Sequence, residues 1–276
     1  MILSTSSIDL RESHAMAIVN VTPDSFYSGS RTVGRSAIVR RVEEVIRDGA
    51  TIIDIGGYSS RPNAEDVSVE VEWERVREGL DAVRSVDGGA AVSIDSFRAE
   101  VIRRAVEEFG DVIVNDISAG EQDINMLDVV AKYRLPYVAM HMRGTPKSMQ
   151  SLTHYEEGVV TAVVDYFTKR VESIVSAGVA RDRIVLDPGF GFAKSVEQNY
   201  ELLRGLDRLR ALGYPMLIGV SRKSMIYKPL GVQPDDAFAG SLALAWEVLR
   251  SGDAILRVHD VRESAQLVRL AKIYRG

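Results

Sequence analysis

The polar residues that close apolar runs are the ones with chemistry to offer. Asp95 follows Ser93-Ile94, Asn115 follows Val114, Asp187 follows Val185-Leu186, and Lys223 comes just after Gly219-Val220. Two carboxylates, an amide and an ammonium around one pocket would hydrogen-bond a flat heterocycle that carries both donors and acceptors, as a pterin or a purine does. Arg61, Arg257 and His259 form a second set, and Asn20 ends the first apolar run. Three cationic or donor groups beside an amide oxygen suit a phosphate or diphosphate, with a hard metal such as Mg²⁺ that takes oxygen ligands and keeps several waters. Taken singly, each residue has an ordinary use: a strand-end Asp or Asn often caps the next helix, and an Arg often makes a surface ion pair.

Positioning such a set requires many strands that end on one side. Apolar runs at 15–20, 51–55, 90–94, 112–115, 136–140, 183–187, 215–219 and 255–258 alternate with helical periodicity at 35–48, 69–86, 97–109, 124–132, 155–177, 195–212, 235–250 and 261–274. Apolar strands each followed by a helix imply parallel strands covered by helices, and eight such units close into a (β/α)₈ TIM barrel. The alternative is an open doubly wound sheet, but no Gly-x-Gly-x-x-Gly turn follows the first run. Catalytic groups in a barrel come from the carboxyl ends of its strands. Closure makes the first and eighth strands neighbours, which brings Asn20 toward Arg257 and His259. No linker or composition shift interrupts the chain, so residues 1–276 read as a single domain.

Other residues read less chemically. Asp54, within Ile53-Asp54-Ile55, is expected to be a buried hydrogen-bonding residue of the barrel core, and Asp116 a helper to Asn115 or an interior acceptor. His14 and His154 fall in polar loops and are expected to be solvated, and His141 to pack in the core. Gly189 and Gly191 mark a tight turn or a close approach of backbone to ligand. The helical stretch 236–250 carries Phe238, Leu242, Leu244, Trp246, Val248 and Leu249 and leaves little polar face, so a partner subunit is expected over it, giving a homodimer.

The 276 residues carry 34 Lys+Arg against 39 Asp+Glu, a formal charge of −5, with 46% hydrophobic residues and no cysteine. That composition excludes disordered and fibrous classes, a disulfide framework, a thiolate nucleophile and any Cys-bearing metal site. Mild acidity without a basic run argues against a nucleic-acid partner. Asp9, Arg11, Glu12 and His14 interrupt the amino-terminal segment, and no uncharged apolar stretch reaches the length of a membrane span, so no membrane association and a cytoplasmic location are expected.

Asn20-Val21-Thr22-Pro23-Asp24-Ser25-Phe26, Asp54-Ile55-Gly56-Gly57 with Ser60-Arg61-Pro62, Asp187-Pro188-Gly189-Phe190-Gly191-Phe192, Ser221-Arg222-Lys223 and Arg257-Val258-His259-Asp260 resemble, in order, the motifs of the dihydropteroate synthase family. The resemblance spans Asn20 to Asp260. It implies a (β/α)₈ barrel that condenses 6-hydroxymethyl-7,8-dihydropterin diphosphate with 4-aminobenzoate, giving 7,8-dihydropteroate and pyrophosphate in folate biosynthesis. It further implies that Asp95, Asn115, Asp187 and Lys223 hold the pterin, with Met140 and Gly219 as walls. Asn20, Arg61, Arg257 and His259 would hold the diphosphate, with Asn20 toward Mg²⁺. Phe190 and Ser224 would meet the aminobenzoate, and Phe26, Ser60 and Pro62 would close over it, where arylsulfonamides would compete. Asp95, Asp187, Lys223 and Arg61 are the residues the resemblance implicates in catalysis. The chain departs from the family at Tyr27-Ser28-Gly29-Ser30, at Tyr58 and Ser60, and at Ala239-Gly240-Ser241. A pterin-binding methyltransferase domain, a binding-only paralogue and an unrelated phosphate-binding barrel remain the rival readings; the first would not need Arg61, Arg257 and His259 gathered.

Overall fold

The computed structural model describes residues 8–22, 35–58, 66–86 and 88–276. Eight strands run parallel: β1 (His14–Asn20), β2 (Ile52–Gly56), β3 (Ala91–Asp95), β4 (Ile113–Asp116), β5 (Tyr137–Met140), β6 (Ile184–Asp187), β7 (Leu217–Ile218) and β8 (Ile255–Val258). Their hydrogen-bonded order is β6-β5-β4-β3-β2-β1-β8-β7, and a parallel bridge from Leu186 to Met216 joins the two outer strands. The sheet is a (β/α)₈ TIM barrel. Its helices are α1 (Arg35–Arg47), α2 (Val69–Ser85), α3 (Ala99–Phe109), α4 (Met126–Tyr133), α5 (Val159–Ser176), α6 (Val196–Arg204), α7 (Leu206–Arg210), α8 (Ser224–Leu230), α9 (Phe238–Ser251) and α10 (Val261–Arg275).

Side chains alternate across a strand, so every second residue points into the barrel. Met16, Ile52, Ala91, Ile113, Val138, Val185, Leu217 and Ile255, one from each strand, form a buried apolar cluster, and Ile8 and Leu10 pack against it. The intervening residues Ala17, Ile53, Val92, Val114, Ala139, Leu186, Ile218 and Leu256 belong to the larger core between sheet and helices. Two residues beyond each member of the inner cluster, on the same face, stand Ile18, Asp54, Ser93, Asn115, Met140, Asp187, Gly219 and Arg257. The apolar cluster is thus the floor on which a polar layer rests, nearer the carboxyl ends of the strands.

Several boundaries differ from those the periodicity predicts. The stretch 195–212 is two helices divided at Gly205, where the backbone passes so close to α5 that a Cβ would lie 2.6 Å from Val160. The stretch 155–177 becomes helical only at Val159, after Gly158 with φ +80°. The seven-residue α8 is absent from the expected periodic helices, being too short to show a period. His14 is not a loop residue: it opens β1, with Nδ1 near Thr51 Oγ1 (3.0 Å) and Nε2 near the Asp9 carbonyl (2.7 Å). His154 is exposed, as expected.

Asp116 acts as a structural acceptor. Its carboxylate receives Ser118 N–H (2.8 Å), Ser118 Oγ–H (2.7 Å), Gly120 N–H (2.7 Å) and Tyr137 O–H (2.8 Å), tying the turn after β4 to β5. Asp116→Ala leaves four donors unmet in the interior and is expected to cost on the order of 3 kcal/mol, whereas Tyr137→Phe should cost about 1 kcal/mol. Urea denaturation of the two variants measures the difference.

Candidate active site

The polar layer is organised by ion pairs that cross the barrel. Arg257 Nε donates to Asp54 Oδ2 (2.6 Å), and Arg257 Nη2 donates to Asp95 Oδ2 (2.7 Å). Asn115 Nδ2 donates to the same Asp54 oxygen (3.2 Å). Asp54 is fully buried, and its Oδ1 has no hydrogen-bond partner among the described residues. Burial opposes the Arg257 charge, but Asp54 and Asp95 on either side overcome it and hold the guanidinium firmly protonated. Burial raises the Asp95 pKa; Arg257 works against that rise, and Asp54 adds to it.

On the other side of the barrel, Asp187 Oδ1 accepts Gly189 N–H (2.8 Å), and burial raises its pKa against the pull of Lys223. Lys223 Nζ donates to the Phe190 carbonyl and lies 5.0 Å from the centre of the Phe192 ring. Burial brings the ammonium down to about 8, with Asp187 resisting. The turn between Asp187 and Lys194 needs Gly189: its φ is +69°, and a Cβ there would sit 2.1 Å from the His141 carbonyl oxygen.

At the rim, His259 is pushed down to about 3 by burial and then by Arg257, Arg222 and Arg41, so it is neutral near pH 7. Its N–H donates to Ser221 Oγ (3.3 Å), and its carbonyl accepts Arg41 Nη2 (3.2 Å). Arg222, at φ +54°, forms a two-point pair with Asp260 (3.0 and 2.7 Å). The Arg222 N–H donates to Ser241 Oγ (2.8 Å), which gives Ser241 a place in the structure. In α2, Glu72 accepts Ser96 Oγ–H and Arg98 Nη1 (2.9 Å), while Arg98 Nη2 reaches Asp66 (3.1 Å).

A cavity of about 190 Å³ opens over these groups at the carboxyl ends of the strands. Asn20, Asp95, Phe190, Gly219, Lys223, Ser224, Arg257 and His259, all expected from the sequence, line it, together with Thr22, Tyr58, Gly191, Phe192, Ser221, Arg222 and Tyr227. Asn115, Met140 and Asp187 share the inner layer but not the cavity wall: Asn115 is turned to Asp54, and Met140 packs with Ile117, Met142, Met149 and Ala193. Phe190 is fully buried in the outer core, so the ring beside Lys223 belongs to Phe192. Phe26, Ser60, Arg61 and Pro62, like Tyr27, lie outside the described residues.

The sequence reading did not foresee Arg257 pairing with Asp54, nor Arg222, Tyr227 and Thr22 in the wall. The parity of Asp54 with the apolar Ile52 was the available signal for the first. His141 is buried against Tyr155, Tyr166 and Phe167, in agreement with a core role.

The chain matches, over residues 16–259, the family described as pterin binding enzyme. It is 40% identical over 267 residues to dihydropteroate synthase of Escherichia coli K12, covering 97% of this chain and 93% of that one. The chain belongs to the dihydropteroate synthase family. Within it, the dihydropteroate synthase of Yersinia pestis, solved with a sulfonamide drug complex, superposes with a TM-score of 0.90 at 36% identity, covering 97% of this chain and 96% of that one. The Xanthomonas albilineans enzyme, solved with 4-aminobenzoic acid, superposes with a TM-score of 0.87 at 37% identity, covering 97% and 94%. Among the described residues, no helix is long and apolar enough to cross a membrane.

The raised pKa of Asp95 has a stability consequence. A carboxyl that holds its proton more tightly folded than unfolded contributes stability that is fully present below its unfolded value and is lost as pH rises through the folded value. The Asp95 side chain keeps 19% of its surface open, which tempers the size of the shift and leaves its direction. Between pH 4 and 7 the ligand-free protein should therefore lose part of its resistance to urea, and Asp95→Asn should flatten that slope.

Proposed function

We propose that this chain is a cytoplasmic transferase that joins 4-aminobenzoate to 6-hydroxymethyl-7,8-dihydropterin diphosphate, releasing pyrophosphate and forming 7,8-dihydropteroate. The observation that carries the reading is the juxtaposition of Asp95 and Lys223 with Arg257, His259 and Asn20 around one cavity. In this reading the pterin lies over the inner layer, between Met140 and Gly219. Its N–H groups face Asp95 and, in the layer below, Asp187, while its acceptors face Lys223 and Asn115. Neutral His259 serves as a hydrogen-bond donor. Arg257 gives two of its five N–H groups to Asp54 and Asp95, which leaves three for the diphosphate. Arg61 joins them as the third basic contact.

The bond from the methylene carbon to the diphosphate oxygen breaks first, and the bonding pair leaves with the oxygen. Arg257, Arg61 and His259 would receive the growing charge through hydrogen bonds to the departing oxygens. Asp95 and Asp187 stabilise the cation left on the electron-rich pterin. The aminobenzoate nitrogen then forms the new C–N bond, and its proton passes to a carboxylate or to the departed pyrophosphate. The amine is uncharged at neutral pH, so the step needs no strong general base. Ser224 and the Phe190–Phe192 turn border the aminobenzoate, with Phe26, Ser60 and Pro62 over it.

The donor set fits Mg²⁺ only in part. Asn20 would hold the ion through one amide oxygen, and no group of three acidic or histidine ligands gathers among the described residues, so substrate phosphate oxygens and water would complete the shell. When bound, the ion supplies neutralising charge to the diphosphate. Metal affinity should accordingly rise with the substrate present.

We also propose a homodimer. Trp246 is not left bare, as the apolar pattern of α9 predicts, because Tyr274 of α10 meets it edge-on at 5.5 Å. The open apolar surface lies instead on α10, where Leu270, Ile273 and Tyr274 are 54, 78 and 64% exposed. A second copy would cover this surface together with the outer side of α9.

Incubation of the purified protein with the pterin diphosphate, aminobenzoate and Mg²⁺ should yield a product with the mass of dihydropteroate, and its absence would leave binding without turnover. Excess chelator should abolish turnover; full activity in chelator refutes the metal requirement. Sedimentation at micromolar concentration should show a dimer, and Ile273→Glu should convert it to a monomer.

A further inference from the structure

Lys194 has no part in the scheme above, yet it is more deeply buried than Lys223. Only 4% of the residue is exposed, and no carboxylate among the described residues pairs with it. Its Nζ stands 3.0 Å from each of three acceptors: the Gly189 carbonyl, the Phe192 carbonyl and Nδ1 of His141. An ammonium has three N–H donors, so the count closes when Lys194 is charged and His141 is neutral with a bare Nδ1. Burial together with the nearby Lys194 and Arg143 charges holds His141 well below its ordinary value.

The turn that Lys194 clasps needs holding. Gly189, Gly191 and Ala193 all have positive φ, at +69°, +82° and +50°. For alanine that conformation costs energy that surrounding contacts must offset. Tyr155 O–H donates to the Ala193 carbonyl (3.0 Å), Gly191 N–H donates to Asn199 Oδ1 (2.7 Å), and Phe192 N–H closes the turn on the Gly189 carbonyl (3.1 Å); the ammonium adds a second link between Gly189 and Phe192 and ties both to His141. The same turn presents the Phe190 carbonyl and the Phe192 ring to Lys223.

We propose that Lys194 is a positioning residue for Lys223: its ammonium gathers Gly189, Phe192 and His141, and the turn so fixed aims the Lys223 ammonium into the pterin site. This rests on the reading that Lys223 binds pterin. The charged groups facing Lys194 are Asp187 from β6, Lys223 beside α8 and Arg143 after β5; His141, Tyr155 and Tyr166 complete its surroundings. Burial, against the pull of Asp187, brings Lys194 down to about 7. Above that pH the amine donates to the two carbonyls and has only its lone pair for His141, which keeps the contact only by moving its proton to Nδ1, and the clasp loosens.

The test is calorimetric titration with a dihydropterin alcohol from pH 6 to 9. Lys194→Met should bind it about tenfold more weakly than wild type at pH 6, and the ratio should fall toward one by pH 9. Titration of the ligand cancels in that ratio. The chain has no cysteine, so Lys194→Cys can be alkylated with 2-bromoethylamine while unfolded and then refolded, which restores an amine of nearly the same reach but weaker basicity. That protein should match wild type at pH 6 and lose affinity at a lower pH. Should Lys194→Met fail to fold, the comparison of the alkylated protein with wild type decides alone. Equal pterin affinity in Lys194→Met, or an unmoved pH midpoint in the alkylated protein, overturns the inference. Lys223→Ala is the control for the underlying reading: if it binds pterin as wild type does, the site assignment fails, whereas weak binding there with no effect at Lys194 defeats the positioning role alone.

Discussion

The guanidinium of Arg257 between the carboxylates of Asp54 and Asp95 is the interaction on which the rest of the site depends. Three charged groups inside a barrel carry a large desolvation cost, and they are tolerable because the cation is shared and charge-assisted hydrogen bonds run between them. Breaking one contact leaves a charge uncompensated in a low-dielectric interior, which costs more than an exposed pair would. The bridge also joins β8 to β2 and β3 through side chains as well as through the sheet. Asn115 attaches β4 to the same carboxylate, so four of the eight strands are tied at the level of the polar layer.

That bridge can exist only because the layer beneath it is apolar. The eight residues from Met16 to Ile255 fill the barrel near the amino ends of the strands and keep water from the charges from below. Alternation then makes the next inward position on every strand the first that can afford a polar side chain. The chemistry is therefore confined to a thin layer, open at one face, where ligand contacts replace solvent. In such a layer the charged forms of the acids and lysines are destabilised by burial and rescued by one another. This is why Asp95 and Asp187 move up while Lys223 and His259 move down.

The loops differ in how they are anchored. The turn after β6 hangs on a buried ammonium, the one after β4 on a buried carboxylate, and the segment around Arg222 on its pair with Asp260. Ahead of α2, Asp66 is held by Arg98, which also pairs with Glu72. In each case a single charged side chain satisfies several groups on a segment without regular structure. A backbone turn forced into left-handed conformations, as at Ala193, depends on such an anchor because no ladder of backbone hydrogen bonds supports it.

How much of this was legible in the sequence divides along the range of the forces involved. Eight apolar runs and the periodicity between them announced the barrel, because strand and helix patterns are local consequences of burial on one face. Strand-end residues such as Asp95, Lys223 and Arg257 could be named for the same reason, since closure gathers all carboxyl ends whatever the details. The break at Gly205 escaped, because the close approach of its backbone to Val160 on another helix leaves no trace in the local pattern. Tertiary structure alone decided that Arg257 pairs with Asp54, 203 positions away, that His259 is neutral, and that Lys194 is buried among three acceptors. Partner choice and protonation follow from distance and desolvation in three dimensions, and a one-dimensional string carries neither.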